Sequence, residues 1–129
     1  MEIEQLIQKT MPLRLLYVED DEILRTSTSG VFGNFFENIL LATNGKEGLE
    51  SVQKNNIDII ITDISMPKMD GIEMISEIRK FNTDIKILVI SAFNEQNIIE
   101  NAKKYNISGY IFKPIDLNQM CQQLEQAVL

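Results

Sequence analysis

The sequence predicts an α/β domain with a doubly wound parallel sheet, and three observations carry that prediction. Short apolar runs at 13–18, 39–42, 57–62, 85–90 and 110–112 alternate with longer segments of helical period. Three of the runs are nearly continuous stretches of β-branched residues or Leu, as expected of parallel strands covered on both faces rather than of an antiparallel sheet with one wet side. A chain of 129 residues has room for five βα units, which suits an open sheet better than an eight-unit barrel of roughly 250 residues. Strands apolar on both faces need helices on both, and crossovers between such strands are right-handed in nearly all cases.

Each element has a local reason. The first strand, 13–18, is followed by a stripe of Leu24, Thr28, Val31, Phe32 and Phe35 at helical spacing. After the strand at 39–42, Asn44 with Glu47 marks a helix start, a capping residue three positions ahead of an acid that can reach back to it. Asp70 with Glu73 does the same after 57–62, and Asp116 with Gln119 after 110–112. Behind the strand at 85–90, Ile98, Ile99, Ala102 and Tyr105 form a fourth stripe. In the last helix Leu117, Met120, Cys121, Leu124, Ala127 and Val128 share one face, where Cys121 reads as a small core residue rather than a redox group. Residues 1–12 form an N-terminal extension to a single domain of residues 13–129. A short amphipathic turn through Ile3, Leu6 and Ile7 is open to that extension, but a frayed terminus is expected.

Composition narrows the chemistry. With no histidine and one cysteine, the chain holds no Ser/His/Asp or Cys/His catalytic arrangement, no Cys/His zinc cage and no internal disulfide. Nineteen acids against twelve bases give a net charge of −7, which disfavours direct nucleic-acid or anionic-membrane binding and favours hard cations. The opening residues are too acidic for a signal peptide and no run is long enough to span a bilayer, so a cytoplasmic location is expected.

What terminates each run carries the functional reading. The first strand ends in Glu19 and Asp20, the third in Asp63, the fourth in Ser91 and the fifth in Lys113. In a parallel sheet all carboxyl ends lie on one edge, so these side chains converge there. Singly, each has an ordinary explanation: a helix cap, a turn residue, a solvated charge. Together they must overcome repulsion, since two carboxylates about 5 Å apart repel by roughly 3 kcal/mol at an effective dielectric of 20. A divalent cation such as Mg²⁺, which takes oxygen ligands and keeps room for a phosphoryl group, gives a reason to hold them. Asp63 could then be a nucleophile toward phosphorus, with Lys113 and the Ser91 hydroxyl contacting phosphoryl oxygens.

The segments LLYVEDDE around Glu19 and Asp20, IIITDISMPKMDG around Asp63, ILVISA ending in Ser91 and Ala92, and SGYIFKP containing Tyr110, Lys113 and Pro114 resemble the receiver domains of two-component response regulators. The resemblance covers residues 13–128 and implies a flavodoxin-like, CheY-like three-layer sandwich with strand order 2-1-3-4-5. It implies that Asp63 is the phosphoacceptor and that Asp20 binds Mg²⁺ (or Mn²⁺) directly. Glu19 would act through water and the backbone carbonyl of Ser65 would be a further ligand. Ser91 and Lys113 match the switch hydroxyl and the phosphate-binding lysine, Tyr110 matches the switch aromatic, and the Lys113–Pro114 bond is expected to be cis. Asp21 and Glu22 read instead as first-turn residues favoured by the helix dipole. Ser65 and Phe93 fall where the family varies and tunes phosphoryl loss.

The implied function is a phosphorelay receiver rather than a turnover enzyme. It would catalyse its own phosphorylation and slow dephosphorylation, and would switch the surface of the fourth helix, fifth strand and fifth helix of the βα series. Without histidine, the phosphoryl donor must be another molecule: a sensor histidine kinase or a phosphotransfer protein. An effector protein or fused output domain would read the switch, with phosphorylation-dependent dimerisation as a further expectation. Rival readings are a receiver-like interaction module that works without phosphorylation, a flavodoxin and a haloacid-dehalogenase-type phosphatase. In the second case the EDDE loop would repel a flavin phosphate, and in the third Ser65 stands where an acid is needed.

Overall fold

Five strands, β1 (Arg14–Val18), β2 (Asn38–Ala42), β3 (Ile59–Asp63), β4 (Lys86–Ser91) and β5 (Gly109–Phe112), pair in parallel in the order β2-β1-β3-β4-β5. This computed structural model describes residues 1–92 and 96–129, without the side chains of Gln96 and Ile98. Phe93 and the Ile98 side chain, both singled out in the sequence, lie outside the described residues. The helices are α1 (Ile3–Thr10), α2 (Glu22–Phe32), α3 (Gly45–Lys54), α4 (Gly71–Arg79), α5 (Gln96–Ala102) and α6 (Leu117–Val128). The predicted strand order and doubly wound architecture are both present.

Strand alternation divides the core into two layers, because successive side chains point to opposite faces. Leu15, Tyr17, Ile59, Ile61, Leu88, Ile90 and Ile111 meet Phe32, Met120 and Leu124 of α2 and α6. Leu16, Val18, Ile60, Ile87 and Val89 meet Val52, Met74, Ile75 and Ile78 of α3 and α4. The central strands are buried on both faces, which is why their sequences are continuous rather than alternating. On the first layer Tyr17 packs edge-on against Phe32, with ring centroids 5.0 Å apart.

The capping signals hold in part. Asn44, Asp70 and Asp116 each accept from the backbone N–H three residues on, and so does Asp21, which is the N-cap of α2 rather than the first-turn residue expected. Two of the expected return contacts go elsewhere. Glu47 accepts from the N–H and hydroxyl of Thr43, and Gln119 reaches across to Phe112. Two stripe residues also depart from expectation: Val31 and Leu117 are exposed, because each stripe is wider than the face it covers.

The frayed N-terminus is a correction. Residues 3–10 form α1, which packs on α6 and puts Leu6 and Thr10 in the interior. The Thr10 hydroxyl donates to the Phe35 carbonyl at 2.5 Å. The amphipathic trio Ile3, Leu6 and Ile7 was the correct signal, and only Leu6 of the three is fully covered. Burial of Leu6 on an existing layer, the Thr10–Phe35 hydrogen bond and the partly covered Ile7 together hold a short helix whose intrinsic stability in water is marginal. Replacing Leu6 by Ala should therefore lower the unfolding free energy by about 2–4 kcal/mol in a urea titration. An unchanged midpoint would mean that α1 does not pack.

Candidate functional site

The carboxyl edge of the sheet gathers the predicted residues through backbone geometry. β1 and β3 are neighbours, with Val18 in register with Thr62, so Glu19 and Asp20 emerge beside Asp63. One carboxylate oxygen from each of Glu19, Asp20 and Asp63 lies within 4.8 Å of the others. Glu19 and Asp63 are buried, while Asp20 is exposed at the mouth. Solvent therefore reaches the cluster from the Asp20 side.

Each acid is held by something local. Asp63 Oδ1 accepts from the N–H of Ile64 at 2.8 Å, and Oδ2 accepts from Lys113 Nζ at 3.0 Å. Gly71, at the start of α4, donates to the Ile64 carbonyl at 2.7 Å. A Cβ at Gly71 would come within 2.2 Å of the Asp63 carbonyl, so only glycine lets α4 begin that close to the strand end. Glu19 Oε2 accepts from the Asp21 N–H at 3.2 Å, whereas buried Oε1 has no hydrogen-bond partner among the described residues. Burial first, then the nearby Asp63 and Asp20, pushes the Glu19 carboxyl up to about 7, against the opposing pull of the Asp21 N–H and Lys113.

Lys113 reaches Asp63 because β5 ends beside β4, where its backbone N–H donates to the Ser91 carbonyl at 2.9 Å. The Lys113–Pro114 bond is cis, as expected. Ser91 is fully buried and its hydroxyl donates to the Ala92 carbonyl at 3.0 Å. Tyr110 is half-buried with its hydroxyl 3.4 Å from the Ile99 carbonyl of α5. The register Val89↔Tyr110 and Ser91↔Phe112 puts Ser91 and Tyr110 on the same face of the sheet. Ser65 is exposed in the loop after Asp63.

Sequence reasoning missed Arg25. From the first turn of α2 its guanidinium donates to the carbonyls of Glu19 at 2.8 Å and Asp20 at 3.4 Å, bracing the acidic loop from behind. The signal is in the sequence: a single base stands three residues beyond a four-acid run in EDDEILR.

The donor set fits a hard cation. Three carboxylates share one small volume, and a buried oxygen of Glu19 is left without a protein donor. The linkage has a definite sign. A carboxyl that titrates higher in the fold than in the unfolded chain binds protons more tightly when folded, so stability falls as pH rises from about 4.5 to about 7. Without divalent cations, Glu19→Gln should therefore melt several degrees above the wild type at pH 8, with the advantage shrinking toward pH 5. Thermal denaturation in a chelator checks this, and equal melting at pH 8 would contradict it.

The chain matches the model of the response regulator receiver domain over residues 15–125. It is 31% identical over 116 residues to the chemotaxis protein CheY of Listeria monocytogenes, covering 89% of this chain and 98% of that protein. It is 32% identical over 114 residues to the transcriptional regulatory protein ZraR of Klebsiella oxytoca, covering 88% of this chain and 26% of ZraR. The chain thus spans about a quarter of the length of that regulator. Among solved structures, the N-terminal domain of an uncharacterized protein from Wolinella succinogenes superposes with a TM-score of 0.81 at 34% identity, covering 88% of this chain and 91% of that one. The CheX-CheY-BeF3-Mg complex from Borrelia burgdorferi gives a TM-score of 0.84 at 28% identity, covering 92% and 91%. Sequence and fold agree along most of the chain, which belongs to the response regulator receiver domain family of two-component systems.

Proposed function

We propose that this chain is a phosphorylation switch in which Asp63 accepts a phosphoryl group from a partner's phosphohistidine. The observation that carries the reading is the meeting of a buried carboxylate, a lysine at 3.0 Å from it and two further acids within 4.8 Å. In the transfer, an Asp63 oxygen forms a bond to phosphorus as the phosphorus–nitrogen bond of the donor histidine breaks, and the leaving imidazole takes up a proton. Hydrolysis of the acyl phosphate later returns the carboxylate and inorganic phosphate. Glu19, Asp20, Asp63 and the Ser65 carbonyl would hold Mg²⁺, or Mn²⁺ in its place. Such an ion, when bound, neutralises charge on the transferred group. A related CheY crystallised with BeF3 and Mg supports this assignment.

The chain's own groups prepare the reaction. The Ile64 N–H and Lys113 fix the Asp63 carboxylate before a donor arrives. After transfer, Lys113 would exchange its carboxylate contact for a phosphoryl oxygen. The Ser91 hydroxyl would leave the Ala92 carbonyl for another. Tyr110, on the same face as Ser91, would then turn inward and alter the surface of α5, β5 and α6, the elements expected to dock an effector, a fused output domain or a second copy. The donor must approach from the rim that exposes Asp20. There a groove of about 630 Å³ beside Lys113 is lined by Leu24, Val31, Pro114 and Leu117, apolar surface suited to a helical kinase or phosphotransfer protein. The working location is the cytoplasm, where such donors act.

Acetyl phosphate with Mg²⁺ should give the wild type one base-labile, hydroxylamine-labile phosphoryl group by intact-mass spectrometry, and Asp63→Asn should stay unlabelled. Equal labelling of both would remove Asp63 from its role. No labelling of a folded wild type would favour an interaction module that works without phosphorylation.

A further inference from the structure

β5 is an edge strand. Its inner side pairs with β4, while the outward N–H and C=O groups of alternate residues meet no further strand among the described residues. Two glutamines of α6 take that place. Gln119 Oε1 accepts from the Phe112 N–H at 2.6 Å, and its Nε2 donates to the Phe112 carbonyl at 3.0 Å. Gln123 Oε1 accepts from the Tyr110 N–H at 3.0 Å.

The spacing explains why two glutamines fit. Residues four apart on a helix rise about 6 Å, and alternate strand residues are about 6.6 Å apart, so amides at 119 and 123 fall opposite Phe112 and Tyr110. The pairing runs in reverse order because α6 returns antiparallel to β5. A primary amide is the uncharged side chain that offers a donor and an acceptor in one plane, and so can satisfy both backbone groups of one residue as a neighbouring strand would. Room has been made for it: a Cβ at Gly109 would lie 2.1 Å from Gln123 Oε1.

The residues so held are not arbitrary. Phe112 immediately precedes Lys113, whose own N–H is fixed from the other side by Ser91, and Tyr110 is the half-buried aromatic facing α5. We propose that Gln119 is a positioning residue for Lys113, fixing the outward peptide groups of Phe112 so that the ammonium stands where a phosphoryl oxygen must be met. In this scheme Gln123 holds Tyr110 by its N–H. The claim rests on the phosphorylation reading above, since Lys113 has that task only there.

The test is a double-mutant cycle on beryllofluoride binding in the presence of Mg²⁺, followed by calorimetry. Methionine keeps the length of glutamine without donor or acceptor. Gln119→Met should weaken beryllofluoride about fivefold, part of what the two hydrogen bonds it removes are worth, while the stabilisation by Mg²⁺ alone stays at the wild-type value. In a Lys113→Ala background the same change should have no further effect. Unaltered affinity, an equal loss in both backgrounds, or a parallel loss of the Mg²⁺ effect would each overturn the positioning role. If Gln119→Met does not fold, Gln119→Asn, one methylene too short to reach Phe112, carries the same comparison. A wild type that binds no beryllofluoride would instead overturn the phosphorylation reading, and this one with it.

Discussion

The carboxylates of Glu19, Asp20 and Asp63 repel one another at the end of the sheet, and the neighbouring elements are placed so as to tolerate that repulsion. Folding brings them together unavoidably, because β1 and β3 are adjacent, parallel and in register up to Val18 and Thr62, just before the acids. Lys113 neutralises part of the charge on Asp63 from the far side of β4. Arg25 spends its donors on the carbonyls behind Glu19 and Asp20 rather than on the carboxylates, leaving their oxygens facing one another. Burial of Glu19 sharpens the conflict, since its Oε1 meets no hydrogen-bond donor among the described residues.

Rigid support keeps this strained group in place. The Ile64 N–H, the glycine start of α4 and the buried β3 strand leave the Asp63 carboxylate little freedom. β5 carries Lys113 on the other side and is itself held from both directions, by β4 within the sheet and by the amides of α6 along its outer edge. A charge change at Asp63 would therefore be felt through Lys113 along a braced strand rather than dissipated in a loop. The central strands, with both faces buried, form the fixed frame against which such a movement is made.

The sequence disclosed the parts of this arrangement that follow from periodicity and strand order. Buried parallel strands must be apolar throughout, so runs such as 57–62 were unambiguous, and a parallel sheet fixes which ends converge. That made Glu19, Asp20, Asp63, Ser91 and Lys113 legible as a group before any geometry was known. The N-terminal helix is not legible in the sequence because its stability comes from tertiary contacts, chiefly Leu6 on the α6 side of the core and Thr10 on the Phe35 carbonyl, and a short segment offers little intrinsic helical preference. Side-chain to backbone contacts were beyond reach for a different reason. Gln119 looked like half of a capping box, and only the position of α6 beside an unpaired strand edge turns its amide toward Phe112. The left-handed backbone of Lys68, with φ of 68° between Pro67 and Met69, likewise has no marker in residue type.

If mutual repulsion of these acids is the constraint about which the site is built, relief by a cation should appear as stability of the whole fold. The most direct measurement is the melting temperature of the wild type, Asp20→Asn and Asp63→Asn as Mg²⁺ is raised from a chelated baseline into the millimolar range. The wild type should rise by several degrees with increasing Mg²⁺, as mass action requires of an ion that binds only the folded state, and both variants should show a much smaller rise. A wild type whose melting temperature does not move, or variants that move as far as it does, would contradict the account.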